Sequence, residues 1–327
     1  MSKTNNEDRG FNTVNNSSLT RRDQRLKLQK MTLLLIGALM VLMVVTLAVL
    51  IIGYFVSSGS TNNPNNPGGQ ASKDKVIWAT QTVSTADTVK GDLIIVNSTH
   101  QYTFPADTAH LTKVYSVSKP HDAFYKQGDV DSIETNTLYA VDRMLVDMAN
   151  ATGFKTAVLA DGYRSFEAQE ALGTSTKGGY SDHHTGRLCA LNIKDEAAKA
   201  WINDNAAKYG FVVRYPDDKA DKTGVSGYTF AYRYVGVAHA TYMTANHLCL
   251  EEYIEYLKAN VTDKKPLTVT GADGRVYEIY YYAVNGSADV KYPKNFAYTI
   301  SGTNDGGVIV TVDRSATVTE ASTENAG

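Results

Sequence analysis

Hydrophobic positions recur along this chain in several different rhythms, each predicting a different element. From Met31 to Val56, MTLLLIGALMVLMVVTLAVLIIGYFV, 26 residues pass without a charge. About 20 apolar residues at 1.5 Å each cross the hydrocarbon core of a bilayer, so this run predicts one transmembrane helix. Between residues 133 and 151, Leu138, Val141, Met144, Leu145 and Met148 stand three and four apart, the spacing of a helix with one buried face. LIIVN (93–97), Lys155 to Leu159, RLCALNI (187–193), FVVRY (211–215) and the stretch Tyr228–Tyr234 read as strands. Ser165 is placed to cap a helix through FEAQEAL. DEAAKAWINDNAAKYG reads as a helix with acids at its start, Lys208 near its end and Gly210 as terminator. HATYMTANH and CLEEYIEYLK are helical in pattern, and beyond Pro266 the pattern turns to β hairpins: LTVTG with RVYEIYYYAV, and FAYTIS with GVIVTV.

Polar texture sets the boundaries. Residues 1–30 carry seven Lys or Arg, and no comparable basic cluster follows the apolar run, which places the N-terminus in the cytoplasm and the rest outside. The run is too long for the h-region of a cleaved signal peptide. Residues 57–73 are Ser, Asn, Pro and Gly with no large apolar side chain, the composition of a solvated tether. The expected organisation is a cytoplasmic basic tail (1–30), a transmembrane helix (31–56), a linker (57–75), a globular domain (76–262), a β-hairpin appendage (263–313) and a polar tail (314–327). The expected topology is a single-pass protein of the cytoplasmic membrane with an extracellular C-terminal domain.

Composition narrows the function classes. With 327 residues, 43% hydrophobic, 20% charged and a net charge of −2, the chain is an ordinary globular sequence without the basic stripe of a nucleic-acid binder. Two cysteines, Cys189 and Cys249, are too few for a disulfide framework; Cys189, inside a strand, reads as a small buried hydrophobe, and pairing of the two is left open.

Five segments in series, DGYRSFEAQ (161–169), SDHHTGRLCALNI (181–193), AAKYGFVVRYP (206–216), GYTFAYRYVGVAHA (227–240) and LEEYIEYL (250–257), resemble the VanY-type D-alanyl-D-alanine carboxypeptidases, zinc peptidases of the Hedgehog-like superfamily. The resemblance covers roughly residues 90–260. It implies an α+β fold, a small mostly antiparallel sheet with packed helices, to which this chain adds its apolar N-terminal run and terminal hairpins. It also implies a catalytic zinc with three protein ligands and one open position for water, beside a carboxylate that moves that water's proton. The family draws the first His and an Asp from Ser-x-His-x-x-Gly-x-x-x-Asp, and the base and last His from a Glu-x-x-His ahead of an aromatic-Arg-Tyr-Val-Gly run.

Laid on that pattern, Ser181, His183 and Gly186 match, but Ala190 stands at the Asp position. Arg233, Tyr234, Val235 and Gly236 anchor the second pattern, with Ala231 at the ligand His and Tyr228 at the base. His183 is thus the one retained ligand position, and no intact catalytic set remains. A methyl group holds no metal, and a phenol with an ordinary pKa near 10 is a poor base at neutral pH. A two-residue slip would bring Asn192 to the Asp position, but an amide oxygen is a poor zinc ligand; a rearranged site drawing on Asp182, His239 or His247 is the competing possibility.

The recognition half matches better. By resemblance, Arg164 faces the carboxylate of a terminal D-Ala, with Ser165, Gln169 and Ser181 in the expected places. A guanidinium suits a carboxylate through two parallel hydrogen bonds. The competing reading has Arg164 paired structurally with Asp161 or Glu167. The function expected is a catalytically silent carboxypeptidase-like domain, without a cofactor, that binds peptidoglycan stem peptides or a protein partner. The alternative is an active zinc D,D-carboxypeptidase with substitute ligands that trims terminal D-Ala.

Overall fold

A computed structural model describes residue 72 and residues 74–115, 123–127 and 130–317. The basic tail, the apolar run 31–56, the polar stretch up to residue 71 and residues 318–327 lie outside the described residues. Among the described residues, no helix is long and apolar enough to cross a membrane.

Strands β1 (Trp78–Ser84), β2 (Leu111–Lys113), β3 (Phe124–Lys126) and β4 (Ser132–Glu134) precede helix α1 (Thr135–Thr152). Then come β5 (Ala157–Asp161), α2 (Phe166–Ala171), β6 (Leu188–Asn192), α3 (Glu196–Asn205), β7 (Phe211–Val213), β8 (Ala231–Tyr234), α4 (Val237–Ala245) and α5 (Leu250–Asn260). Strands β9 (Leu267–Thr270), β10 (Val276–Ala283), β11 (Ser287–Pro293), β12 (Phe296–Gly302) and β13 (Gly307–Thr317) complete a mixed α+β fold.

The central sheet has the order β3-β5-β6-β8-β7, parallel between β3 and β5 and antiparallel elsewhere. The predicted apolar stripe of α1 is its buried face: Leu138, Val141, Met144, Leu145 and Met148 join Leu159, Cys189 and Leu191 in one core. The Glu134 carboxylate starts α1 by accepting from the Thr137 N–H at 2.9 Å, and Gly153 ends it in the left-handed conformation. As expected, Ser165 Oγ caps α2 by accepting from the Ala168 N–H. Cys189 and Cys249 are both buried and free.

Strands β9 to β13 do not stand apart from what precedes them. Val269, Ile279, Tyr281 and Ile309 share a second core with Met243 of α4 and with Leu250, Tyr253, Ile254 and Leu257 of α5. The four-stranded sheet β12-β13-β10-β9 is accompanied by a two-stranded ribbon in which β1 pairs antiparallel with β11, more than 200 residues away in sequence.

Two local expectations need correction. LIIVN (93–97) is buried but forms no regular strand, because side chains rather than a neighbouring strand take many of its backbone groups. The Leu93 N–H donates to Ser301 Oγ, Arg233 Nη2 donates to the Ile94 carbonyl, and Asn304 Nδ2 donates to the Ile95 carbonyl. Residues 314–317, expected in the tail, extend β13; the Arg314 carbonyl accepts from the Ser72 N–H at 2.8 Å.

Candidate functional site

The site forms where the end of β5 and the turn after it meet a short 3-10 turn, Asp182–Thr185, and strand β8. The turn sends the adjacent His183 and His184 to different partners. Gly186 ends it with φ of 67° where an added Cβ would lie 2.8 Å from Leu111 and 3.0 Å from the Glu134 nitrogen, so glycine is required for the turn to press against the start of α1.

A buried charge cluster pins the turn from below. The Asp182 carboxylate accepts from Arg214 Nε at 2.7 Å and from Arg233 Nη1, and Arg214 forks onto Glu251 at 2.7 and 2.9 Å. Asp182, Arg214 and Arg233 side chains are fully buried. Burial pushes the Asp182 carboxyl up, but the two guanidinium groups outweigh it and hold it below its ordinary value. Asp182 is therefore committed to these arginines.

His183 is buried and has both ring nitrogens engaged. Nδ1 faces the Gly162 carbonyl at 2.7 Å, an oxygen that only accepts, so Nδ1 carries the proton and Nε2 presents a lone pair. That lone pair accepts from the Tyr228 hydroxyl at 2.9 Å. Burial holds the His183 pKa below its ordinary value despite Asp161, whose carboxylate stands 3.6 Å from Nδ1. The Tyr228 phenol is pushed up to about 12, first by burial and then by Asp161. It stays protonated and donates. Tyr215 stacks on the Tyr228 ring at 5.7 Å and Phe230 meets it edge-on at 4.7 Å, fixing its direction.

Ala190 and Ala231 are direct partners in the β6–β8 ladder, and Asp161 lies opposite Ala190 on the other side of β6. Both alanines are buried, and Ala231 packs with Leu188, Tyr215 and Tyr228.

Arg164 is engaged as well. Its guanidinium forks onto Asp161, through Nη2 and through Nε at 3.3 Å, and Nη1 donates to Gln169 Oε1 at 2.8 Å. Gln169 is buried and spends its amide on the Thr176 carbonyl. Ser165 is the cap of α2, and the buried Ser181 opens the 3-10 turn, its carbonyl accepting from the His184 N–H. His184 donates from Nδ1 to the Arg164 carbonyl and accepts at Nε2 from the Gly179 N–H. It also packs against Phe104, which is exposed beside Phe166 at the rim.

The remaining candidates lie elsewhere. His239 in α4 is held between Tyr253 Oη and Thr311 Oγ1, both at 2.8 Å, and burial lowers its pKa to about 4. His247 is exposed in the loop after α4, and Asn192 at the end of β6 is also exposed. A groove of about 1050 Å³ bounded by α3, β7 and α4 includes none of His183, Arg164 or Tyr228. The charge cluster and the Tyr228–His183 bond escaped the sequence reading. The cluster did leave a signal, since Arg214 and Arg233 interrupt otherwise apolar strands and a charge there demands a buried partner.

Residues 131–237 match the VanY family, described as D-alanyl-D-alanine carboxypeptidase. A D-alanyl-D-alanine carboxypeptidase of Enterococcus faecium is 31% identical over 260 residues, covering 74% of this chain and 81% of the relative. A bifunctional D-Ala-D-Ala dipeptidase and carboxypeptidase, VanXYC of Enterococcus gallinarum, is 32% identical over 142 residues, 35% of this chain and 75% of the relative. Among solved structures, the vancomycin-resistance D,D-dipeptidase VanXYg, in complex with a D-Ala-D-Ala phosphinate analog, shares the fold with a TM-score of 0.62 at 24% identity, covering 72% of this chain and 99% of that one. The fold and the ordered motifs define a D-alanyl-D-alanine carboxypeptidase-type scaffold, and this chain belongs to the VanY family of D-alanyl-D-alanine carboxypeptidases.

The residues present do not fit that family's zinc. A catalytic zinc needs three protein ligands. Here the cross-strand pair at two of the ligand positions is alanine on alanine, and the Nε2 lone pair of the remaining histidine is spent on a phenol. Among the described residues, no group of three or more His, Cys, Asp or Glu side chains is arranged to hold a metal ion.

Proposed function

We propose that this protein is a membrane-anchored, extracellular carboxypeptidase-like domain that binds peptidoglycan stem peptides, or a protein partner in cell-wall metabolism, without hydrolysing them. One observation carries the reading: the Tyr228 hydroxyl occupies the lone pair of His183 that a metal would need. Neither the zinc nor the carboxylate base of the family mechanism has a residue set here. Losing a positioned base alone costs about 10²–10⁴ in rate.

The recognition side supports binding. Arg164, with a side chain 20% exposed, keeps its motif place and is pre-oriented by Asp161 and Gln169. A peptide carboxylate entering the site would take donors that Arg164 does not spend on those two. The anchor is supported by the 26-residue apolar run and the basic residues ahead of it.

Titration of the full chain with a synthetic stem pentapeptide ending in D-Ala-D-Ala, with free D-Ala assayed in the same samples, tests the proposal. Saturable binding that weakens at least tenfold in Arg164→Ala, with no D-Ala release, is the expected result. Chelator-sensitive D-Ala release would overturn it.

A further inference from the structure

The first described residues of the chain form a fixed tip with the turn between β11 and β12. The Ile77 N–H donates to Asn295 Oδ1 at 2.9 Å, the Lys294 N–H donates to the Ile77 carbonyl at 2.8 Å, and Asn295 Nδ2 donates to the Lys75 carbonyl at 3.0 Å. The ladder then sets Trp78 opposite Pro293 and Ala79 opposite Tyr292, whose ring lies 5.3 Å from Tyr298.

That tip carries apolar side chains that a folded chain normally covers. Ile77 is 58% exposed, Trp78 39% and Tyr298 40%. Trp78 and Tyr280 meet in a T-shaped arrangement at 5.3 Å, so the Trp78 ring is held although it stays exposed. Lys75, two residues before Ile77, and Lys294, whose N–H donates to the Ile77 carbonyl, are both exposed. Tryptophan and tyrosine rings with lysines beside them are the composition that settles at a membrane–water interface: the rings enter the headgroup layer while the ammonium groups reach the phosphates.

Chain length says what covers it. Only residues 57–73 separate the apolar run from Asp74. Seventeen residues of polar chain span about 23 Å on average and reach about 60 Å at full extension. The tip thus follows that polar stretch directly in sequence.

We propose that Ile77, Trp78 and Tyr298, flanked by Lys75 and Lys294, form a lipid-contacting surface that seats this domain on an anionic bilayer. The inference rests on reading residues 31–56 as a membrane anchor. It implies that the site is presented in a fixed orientation to the membrane rather than swinging freely on its tether.

The chain has two tryptophans, Trp78 and Trp201, which makes the test direct. The full chain carrying Trp201→Phe is reconstituted in phosphatidylcholine–phosphatidylglycerol vesicles with brominated acyl chains, and Trp78 emission is compared with that in unbrominated vesicles. Emission at least halved by bromine is expected, with Trp201 unquenched in the companion Trp78→Phe chain. A Lys75→Glu, Lys294→Glu chain should lose most of the quenching, since each lysine contributes about fivefold to partitioning on an anionic surface. Unquenched Trp78, or equal quenching of both tryptophans, would overturn the proposal. Alkaline carbonate extraction of the same vesicles decides the anchor separately: a chain that resists extraction with unquenched Trp78 has the anchor but not the surface. A chain that is extracted lacks the anchor, and Trp78 quenching by added vesicles still decides the surface.

Discussion

The Tyr228 hydroxyl lies 2.9 Å from Nε2 of His183, and the Gly162 carbonyl at Nδ1 makes that nitrogen the acceptor. The imidazole therefore has the tautomer a metal ligand would need, with its lone pair already taken. Tyr228→Phe removes the donor and leaves a buried acceptor unpaired, which costs about 1–3 kcal/mol. Urea unfolding should show a lowered midpoint with an unchanged slope; an unchanged midpoint would mean the bond contributes nothing.

Acid should destabilise the fold in a window set by histidine. Burial lowers the pKa of His183, of His184 and of His239, the last to about 4. Their ordinary value is about 6.5, so the unfolded chain takes up protons first as pH falls. The stability they contribute is full above about pH 6.5 and declines towards pH 4, by up to about 3 kcal/mol for His239 alone. Unfolding midpoints measured from pH 7.5 to 4.5 should fall steadily, and His239→Gln should flatten the slope. A profile level across that range would contradict the burial account.

Asp182 neutralises two arginines that have no access to water. Asp182→Asn leaves Arg233 without its carboxylate and Arg214 with Glu251 alone, a loss of about 3–5 kcal/mol. Chemical denaturation measures it directly. A cost below about 1 kcal/mol would show that the cluster does not hold the 3-10 turn.

Asp161 and Gln169 share Arg164 between them. If Arg164 is the anchor for a peptide carboxylate, Gln169→Ala should leave the fold intact and weaken stem-peptide binding severalfold, less than Arg164→Ala does. Calorimetric titration of the three chains gives the order. Equal affinity in all three would assign Arg164 a purely structural role.

Local chemistry made much of this structure legible. The stripe from Leu138 to Met148, the Ser165 cap and the terminal hairpins are each written within one or two turns of chain and form as read, while the helix expected to run up to Gly210 ends at Asn205 and passes into a 3-10 turn that Gly210 closes. What sequence could not supply was distant pairing. β1 finds β11 across more than 200 residues, and residues 93–97 spend their backbone on Ser301, Asn304 and Arg233 instead of a strand. The site divides the same way. Motif spacing aligned His183, Ala190, Ala231 and Tyr228 with the family pattern, and a pairing of Arg164 with Asp161 was one of the readings the sequence left open. Nothing in the spacing says that the Tyr228 hydroxyl reaches back to His183, which is a property of side-chain direction in the folded sheet.

Restoring the family's donor types is a demanding check on that geometry. The triple change Ala190→Asp, Ala231→His and Tyr228→Glu frees the His183 lone pair and supplies the two missing ligands and the base. Zinc content should rise toward one ion per chain. No gain in zinc would mean that these positions do not converge on His183.

The most direct measurement is the zinc stoichiometry of the unaltered full chain, loaded with excess zinc, dialysed and measured by elemental analysis. The Tyr228–His183 account predicts a ratio near zero. A ratio near one, lost on adding chelator, would contradict it.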